Sequence, residues 1–370
     1  MRQYTRCMRG LFLLAPLLSL PLSAQFALQH SGSTASLRGI AIGDARGHVA
    51  WASGTGGTVL RTVDAGVHWT ACAVPPGAEA LDFRGIQAFD AQTAIVMSSG
   101  KGAASRLYRT ADGCRTWKLI LSNPDAPEGF FDAVVFRSRD EGWVLGDPVQ
   151  GHFYLSNTQD GGQTWLQSKA DGLRTVTAGG AFAASNQSLL LSLFGPTFGG
   201  GGARLYRGVW PQCSQSTSYN DPAQCLDRIW FTAAQLPMAA ANGASGIFAL
   251  GENLDTVIAV GGDYTAPETA EGTAAWSSDE GVTWHASTMP PHGYRSSVAY
   301  DVGTHTWLAV GPNGADLSRD EGRTWQPLQP DAAKGDVPDA DRTWNALALP
   351  WVVGPKGRIG KLREGALPKN

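Results

Sequence analysis

The chain has 370 residues, of which 43% are hydrophobic and 16% charged, with 46 Gly, 13 Trp and a formal net charge of −3 at pH 7. A Gly- and Trp-rich, charge-poor chain suits many short strands joined by tight turns, and its acidic balance argues against nucleic-acid binding. Its length allows two ordinary domains, or one large domain if the chain is built from repeats.

At the N-terminus, Arg2, Arg6 and Arg9 precede an apolar run from Leu11 to Leu22 that ends in Leu22-Ser23-Ala24. This reads as a secretory leader over residues 1–24, cut before Gln25, and predicts a periplasmic or secreted protein. The run is too short to span a bilayer as a helix, so no membrane span is expected in the mature chain. Cys7 lies in the basic segment and not at the cleavage site, which argues against a lipid anchor. Cleavage removes three Arg and no acid, leaving 26 basic and 32 acidic residues, net −6.

Residues 25–370 read as one repeat domain. Ser or Thr followed by Asp, Gly, Thr and Trp recurs at Thr62–Trp69, Thr110–Trp117, Thr158–Trp165, Ser277–Trp284 and Ser318–Trp325. Cys114 replaces the Gly in one copy, and His68 replaces the Thr in another. These residue types fit a tight turn, with Gly supplying positive φ, the Asp carboxylate accepting backbone N–H bonds, and Trp anchoring the corner. Trp69, Trp117 and Trp165 are spaced by 48 residues, and Trp284 and Trp325 by 41.

Each repeat opens with an apolar strand. Seven such starts are present: Gly39–Ile42, Gly85–Phe89, Ala133–Phe136, Ala178–Phe182, Gly246–Leu250, Ser297–Tyr300 and Ala346–Leu349. Second strands run into Gly-rich turns, as in Trp51-Ala52-Ser53-Gly54 and Val144-Leu145-Gly146. The pattern predicts an all-β, seven-bladed β-propeller of four-stranded blades. The last repeat stops after its third strand, Arg358 to Leu362, and Phe26–Gln29 stands where a fourth strand should precede an inner one. The N-terminal strand is therefore expected to close the last blade.

The fourth repeat is irregular, because a polar loop from Ser214 to Gln224 stands in place of its turn. Four cysteines remain in the mature chain, an even count that favours disulfides in an exported protein. Cys213 and Cys225 flank the polar loop and are the expected pair. Cys72 lies just after one turn and Cys114 inside the next, which leaves a bond between adjacent blades open.

Arg38, Arg84, Arg174 and Arg295 stand shortly before inner strands, with Arg342 close before another. Connections between blades gather around one mouth of the channel, so these residues can form an anion site for carboxylate or phosphate. Alternatively, each pairs with a local acid such as Asp82, Asp132 or Asp171. The turns after the second strands carry Ser99 and Lys101, Asp147 and His152, and the segment from Asp263-Tyr264-Thr265 to Thr273, which includes Glu268 and Glu271. His292-Gly293-Tyr294-Arg295 follows in the next crossover, making the corner between the fifth and sixth blades the best local candidate. The candidate ligand-binding residues are thus Arg38, Arg84, Asp132, Asp147, Asp263, Tyr264, His292, Tyr294 and Arg295. No catalytic residue, cofactor or metal is assigned. The seven His lack metal-ligand spacing, the glycines at 199–202 precede no helix, and there is no Gly-x-Ser-x-Gly elbow.

The repeated turn resembles the Asp-box, or BNR repeat, of sialidases and other β-propellers. Sialidases would imply an Arg triad, a Tyr nucleophile with a Glu partner and an Asp acid/base. Arg38, Arg84 and Arg295 could imitate the triad and Tyr264 or Tyr294 the nucleophile. However, Arg38 is followed by Gly39-Ile40, not by the Ile-Pro of the sialidase signature. The whole mature chain also resembles exported bacterial propellers related to the photosystem II stability and assembly factors. That resemblance rests on Leu37-Arg38-Gly39-Ile40, Phe83-Arg84-Gly85-Ile86, Gly180–Ser185, Val260–Tyr264 and Pro291–Arg295. It implies a seven-bladed scaffold or assembly factor with no established chemistry to carry over, and the chain is expected to be a monomeric, non-enzymatic propeller binding a protein segment or an acidic or carbohydrate ligand at an Arg-lined channel mouth. The alternative is a sialidase-type glycoside hydrolase.

Overall fold

The computed structural model describes residues 26–125, 127–168, 179–192, 194–210, 229–330, 332 and 336–367. Among these residues, 28 strands form seven four-stranded antiparallel sheets. The first strand of each sheet packs beside its neighbours' first strands in a closed circle: β2 (Leu37–Ile42), β6 (Phe83–Ala88), β10 (Phe131–Phe136), β14 (Leu189–Leu191), β18 (Ser245–Asn253), β22 (Ser297–Asp301) and β26 (Ala346–Ala348). This is the expected seven-bladed propeller. Its ring closes through β1 (Phe26–Gln29), which pairs with β28 (Ile359–Leu362) and sets Phe26 opposite Leu362. Two chain ends in one blade leave no edge open at the seam.

The apolar core is divided among the seven interfaces between blades. Leu37, Ala52 and Leu60 of the first blade pack with Trp351, Val353 and Ile359 of the last, and comparable clusters lie at the other six interfaces. Blade-on-blade burial therefore supports the circle as a whole.

The repeated turns are built as their residue types dictate. In the third blade, Thr158 Oγ1 donates to Asp160 Oδ1 at 2.8 Å and accepts from the Gly162 N–H at 2.9 Å. Asp160 also accepts from the Thr164 N–H and hydroxyl, at 2.9 and 2.6 Å. His68 does the work of Thr164 in its own copy, with its N–H 2.9 Å from Asp64 Oδ1 and its Nδ1 2.7 Å from Oδ2. These His68 contacts hold the Asp64 carboxyl down at about 2.

Cys114 explains the other worn copy. The fifth turn position takes positive φ and approaches the preceding blade so closely that a Cβ on Gly66 would lie 2.3 Å from Trp351. Cys114 occupies this place at φ +66° and is disulfide-bonded to Cys72 of the first blade. The open pairing is thus settled for these two cysteines, whereas Cys213 and Cys225 lie outside the described residues.

The fourth blade corrects one expectation. Its inner strand is Leu189–Leu191, not Ala178–Phe182. Small residues Ala181, Ala183, Ala184 and Ser185 instead carry the chain across the channel to Asn186 and Gln187. Asn186 Oδ1 accepts from the Val134 N–H at 2.8 Å, while its Nδ2 donates to the Val134 carbonyl at 2.8 Å and the Ile86 carbonyl at 3.4 Å. Gln187 Oε1 accepts from the Val298 N–H at 2.9 Å and the Ser297 hydroxyl at 2.7 Å, and its Nε2 donates to the Leu347 carbonyl at 3.1 Å. The two amides, each donor and acceptor, satisfy inner-strand edges of four blades that would otherwise face the channel unpaired.

Candidate functional site

Above this crossing lies a cavity of 550 Å³. Its wall residues arise from a backbone irregularity repeated from blade to blade. A β-bulge interrupts the register at Leu37/Gly39, Phe83/Gly85, Phe131/Ala133 and Ile247/Ala249. The extra residue in each case is Arg38, Arg84, Asp132 or Phe248, and all four line the cavity. A bulge re-aims the residue it adds, so four blades place a side chain into one mouth by the same device. A fifth bulge, between Gly146 and Pro148, adds Asp147 from β11 (Gly142–Val149).

The sequence signal is a large apolar residue, the presented residue, a small residue and an apolar one, as in Phe83-Arg84-Gly85-Ile86 and Phe131-Asp132-Ala133-Val134. Ser296 and Asn345 occupy the presented position in the next two blades and also line the cavity. Arg295 therefore aligns with Leu37 and Phe83, not with Arg38 and Arg84. It sits at 0% exposure, where other blades bury an apolar residue. Its Nε donates to Asp316 Oδ2 at 2.7 Å, its Nη2 bonds the same carboxylate, and its Nη1 donates to the Tyr294 carbonyl at 2.7 Å.

The cavity gathers Arg38, Arg84, Asp132, Asp147, Tyr264 and Tyr294 from the candidate set. His292, Arg295 and Asp263 lie elsewhere. His292 Nδ1 is 2.8 Å from Asp316 Oδ1, in the Arg295 network. Asp263 accepts from the Thr265 N–H at 2.8 Å and the Asn242 amide at 2.7 Å, beside a separate depression of 730 Å³ that includes Glu271. Ser99, Lys101, His152 and Arg342 do not line the cavity, and Arg174 lies outside the described residues.

Charge is segregated around the wall. Arg84 Nε donates to Asp82 Oδ2 at 2.8 Å and its Nη1 to the Ala183 carbonyl at 3.3 Å, which holds the side chain against the crossing. Arg38 beside it has a buried Nε with no hydrogen-bond partner among the described residues. Burial and the neighbouring Arg84 charge both lower the Arg38 pKa, because each disfavours its charged form. Arg38 is thus the guanidinium left to receive an anion.

Asp132 and Asp147 face the cavity from the third blade. Burial, and then the Asp147 charge, push the Asp132 carboxyl well above its usual value. Burial raises Asp147 to about 6, against the opposing effects of the Ala181 N–H and a hydrogen bond with Asp132. The two carboxyls therefore titrate as a coupled pair, each harder to ionise than a free carboxyl. Asp147 lies tightly on the crossing, since a Cβ on Gly180 would be 1.9 Å from its Oδ1.

The remaining wall is aromatic and was not read from the sequence. Phe182 stacks on Phe248 with ring centroids 3.7 Å apart, and Tyr294 meets Phe248 edge-on at 4.7 Å. Phe130 and Trp344 complete it. Among the described residues no group of three or more His, Cys, Asp or Glu is placed to hold a metal.

No protein-family model matches the chain, and no curated protein matches it. Solved structures do. A structure of YCF48 bound to a D1 peptide aligns with a TM-score of 0.61 at 16% identity, covering 93% of this chain and 99% of that one. YCF48 from Cyanidioschyzon merolae aligns with a TM-score of 0.59 at 18% identity, over 92% and 99% of the two chains. The extracellular domain of a hybrid two-component system from B. thetaiotaomicron gives 0.57 at 12% identity, covering 91% of this chain and 39% of that one. At these identities the likeness is one of fold, and the fold this chain shares with them is that of a β-propeller.

Proposed function

We propose that this chain is an exported, non-enzymatic propeller that binds a protein segment in the cavity, with Arg38 and Arg84 receiving a carboxylate of that segment. The observation that carries this reading is Arg38, presented by a bulge into the cavity with its Nε buried and unpartnered. A buried donor without an acceptor is costly, and a carboxylate relieves that cost with a charge-assisted bond. A cavity of 550 Å³ is of the size that encloses most of a drug-sized ligand, which suits a few residues of peptide. YCF48, similar in fold, was solved with a D1 peptide bound, and this supports a peptide as the occupant.

Export is supported by the leader-like residues 1–24 and accords with the Cys72–Cys114 disulfide, a bond that persists in oxidising compartments. The hydrolase reading finds less support. Among the described residues the cavity holds two arginines, and the third of the expected triad is committed to Asp316.

The test is calorimetric titration of the mature protein with short peptides ending in a free carboxylate and with their C-terminal amides. Preference for the carboxylate that disappears in Arg38→Ala supports the reading. Equal binding of acid and amide forms, or no binding of either, rejects it.

A further inference from the structure

The acidic side of the cavity has no part in receiving a carboxylate. Asp132 is 1% exposed, yet among the described residues no N–H or hydroxyl reaches either of its carboxyl oxygens, and Asp147 Oδ1 is equally without a donor. The Asp147 charge instead disfavours ionisation of Asp132. Both residues line the cavity. Buried acceptors are almost always satisfied in folded proteins, because an unsatisfied one has lost its water without gaining a donor.

We propose that Asp132 and Asp147 form a second subsite, for an ammonium or guanidinium group, so that the cavity selects segments carrying a cationic side chain within a few residues of the carboxylate held by Arg38. This rests on the peptide-binding reading above and names the sequence class of the peptide.

Three features favour an organic cation. Its N–H groups donate to several carboxyl oxygens at once, which suits acceptors that lack any donor. Phe130 and Phe182 line the same cavity, and aromatic rings attract such a charge. A divalent metal needs about six oxygen ligands, and two carboxyls supply too few. Arg38 and Arg84 stand on the first two blades and the acid pair on the adjacent third, and this order also fixes polarity. A segment that binds with its carboxylate at the arginines must bring its cation to the acids, and the reverse orientation sets like charges together at both ends.

The experiment is calorimetric titration of the mature protein with N-acetylated peptides that keep a free terminal carboxylate and carry Lys in turn at each of the three preceding positions, beside norleucine counterparts. At one or more positions the Lys peptide should bind about tenfold more tightly, equivalent to about 1.4 kcal/mol. In Asp132→Asn and Asp147→Asn that ratio should fall to about one, while the preference for acid over amide is retained. Equal binding of Lys and norleucine peptides at all three positions, with the carboxylate preference intact, overturns the cation subsite alone. A Lys preference that survives in both Asn variants overturns it as well. If no peptide of either kind binds, the subsite and the peptide-binding reading fail together.

Discussion

Arg295 Nε donates to Asp316 Oδ2 over 2.7 Å, with the two side chains 0% and 1% exposed. A buried pair of this kind is a structural tie, and removing one partner leaves the other charge buried without its counterpart. Arg295→Ala is expected to cost about 3–5 kcal/mol of stability, read by chemical denaturation, and to leave the acid-over-amide preference of the remaining folded protein unchanged. Burial would raise the Asp316 carboxyl, but the His292 hydrogen bond and the Arg295 charge outweigh it and hold it low. Its contribution is therefore present above the ordinary Asp value of about 4 and lost as pH falls through the folded value. Loss of peptide selectivity without loss of stability would show that Arg295 belongs to the site.

Arg38 and Arg84 are presented by equivalent bulges but are not equivalent in consequence. Arg38→Ala removes the unpartnered guanidinium and should weaken binding of a carboxylate peptide about 10- to 100-fold, the effect of one hydrogen bond to a charged group. Arg84→Ala also frees Asp82 and the Ala183 carbonyl, so it should lower the melting temperature more than Arg38→Ala does. A larger binding loss in Arg84→Ala with no thermal effect would reverse these roles.

Asp132 and Asp147 hold their proton more tightly folded than unfolded. Such groups contribute stability at acid pH that is lost as pH rises through about 6, the value reached by Asp147. The charged groups facing the pair are Arg84, which favours ionisation of Asp132, and the two acids themselves. Asp147→Asn should therefore melt above the unsubstituted protein at pH 7.5, with the gap narrowing by pH 5. A gap that does not change with pH would mean that the Asp147 carboxyl is not raised in the folded protein. Affinity for Lys peptides should rise over the same interval in the unsubstituted protein, because ionisation of the pair is what attracts the cation.

The propeller and its closure were legible because they repeat. Five turns with the same donors and acceptors announce blades locally, and the surplus strand Phe26–Gln29 matches the blade that lacks one. The cavity was legible only in part. Arg38 and Arg84 drew attention as charges before inner strands, but the same reasoning admitted Arg295, one position out of phase with them. The bulge pattern separates the cases, since Arg295 precedes Ser296 and Ser297 as Leu37 precedes Arg38 and Gly39. The crossing through Asn186 and Gln187 was hidden for a different reason. Its bonds reach residues more than 50 positions away in sequence, and a run of alanines reads as strand until those partners are known.

The Cys72–Cys114 bond closes a loop of 42 residues between adjacent blades. Cys72→Ser with Cys114→Ser should destabilise the protein by about 2–4 kcal/mol, and a reducing agent should lower the melting temperature of the parent protein but not of the double variant. If reductant lowers both equally, a different bond is responsible.

The account stands on the cavity itself being the place where the segment binds. Ala184 is half-buried on the cavity wall, so Ala184→Trp fills the space without removing a charge or a hydrogen-bonding side chain. The dissociation constant of a carboxylate-terminated peptide should be measured for Ala184→Trp and the unsubstituted protein, with the melting temperature of each as a check on the fold. Binding weakened at least tenfold in a variant that melts normally is the predicted result. Unchanged affinity in that variant would contradict the account and move the binding surface away from the channel mouth.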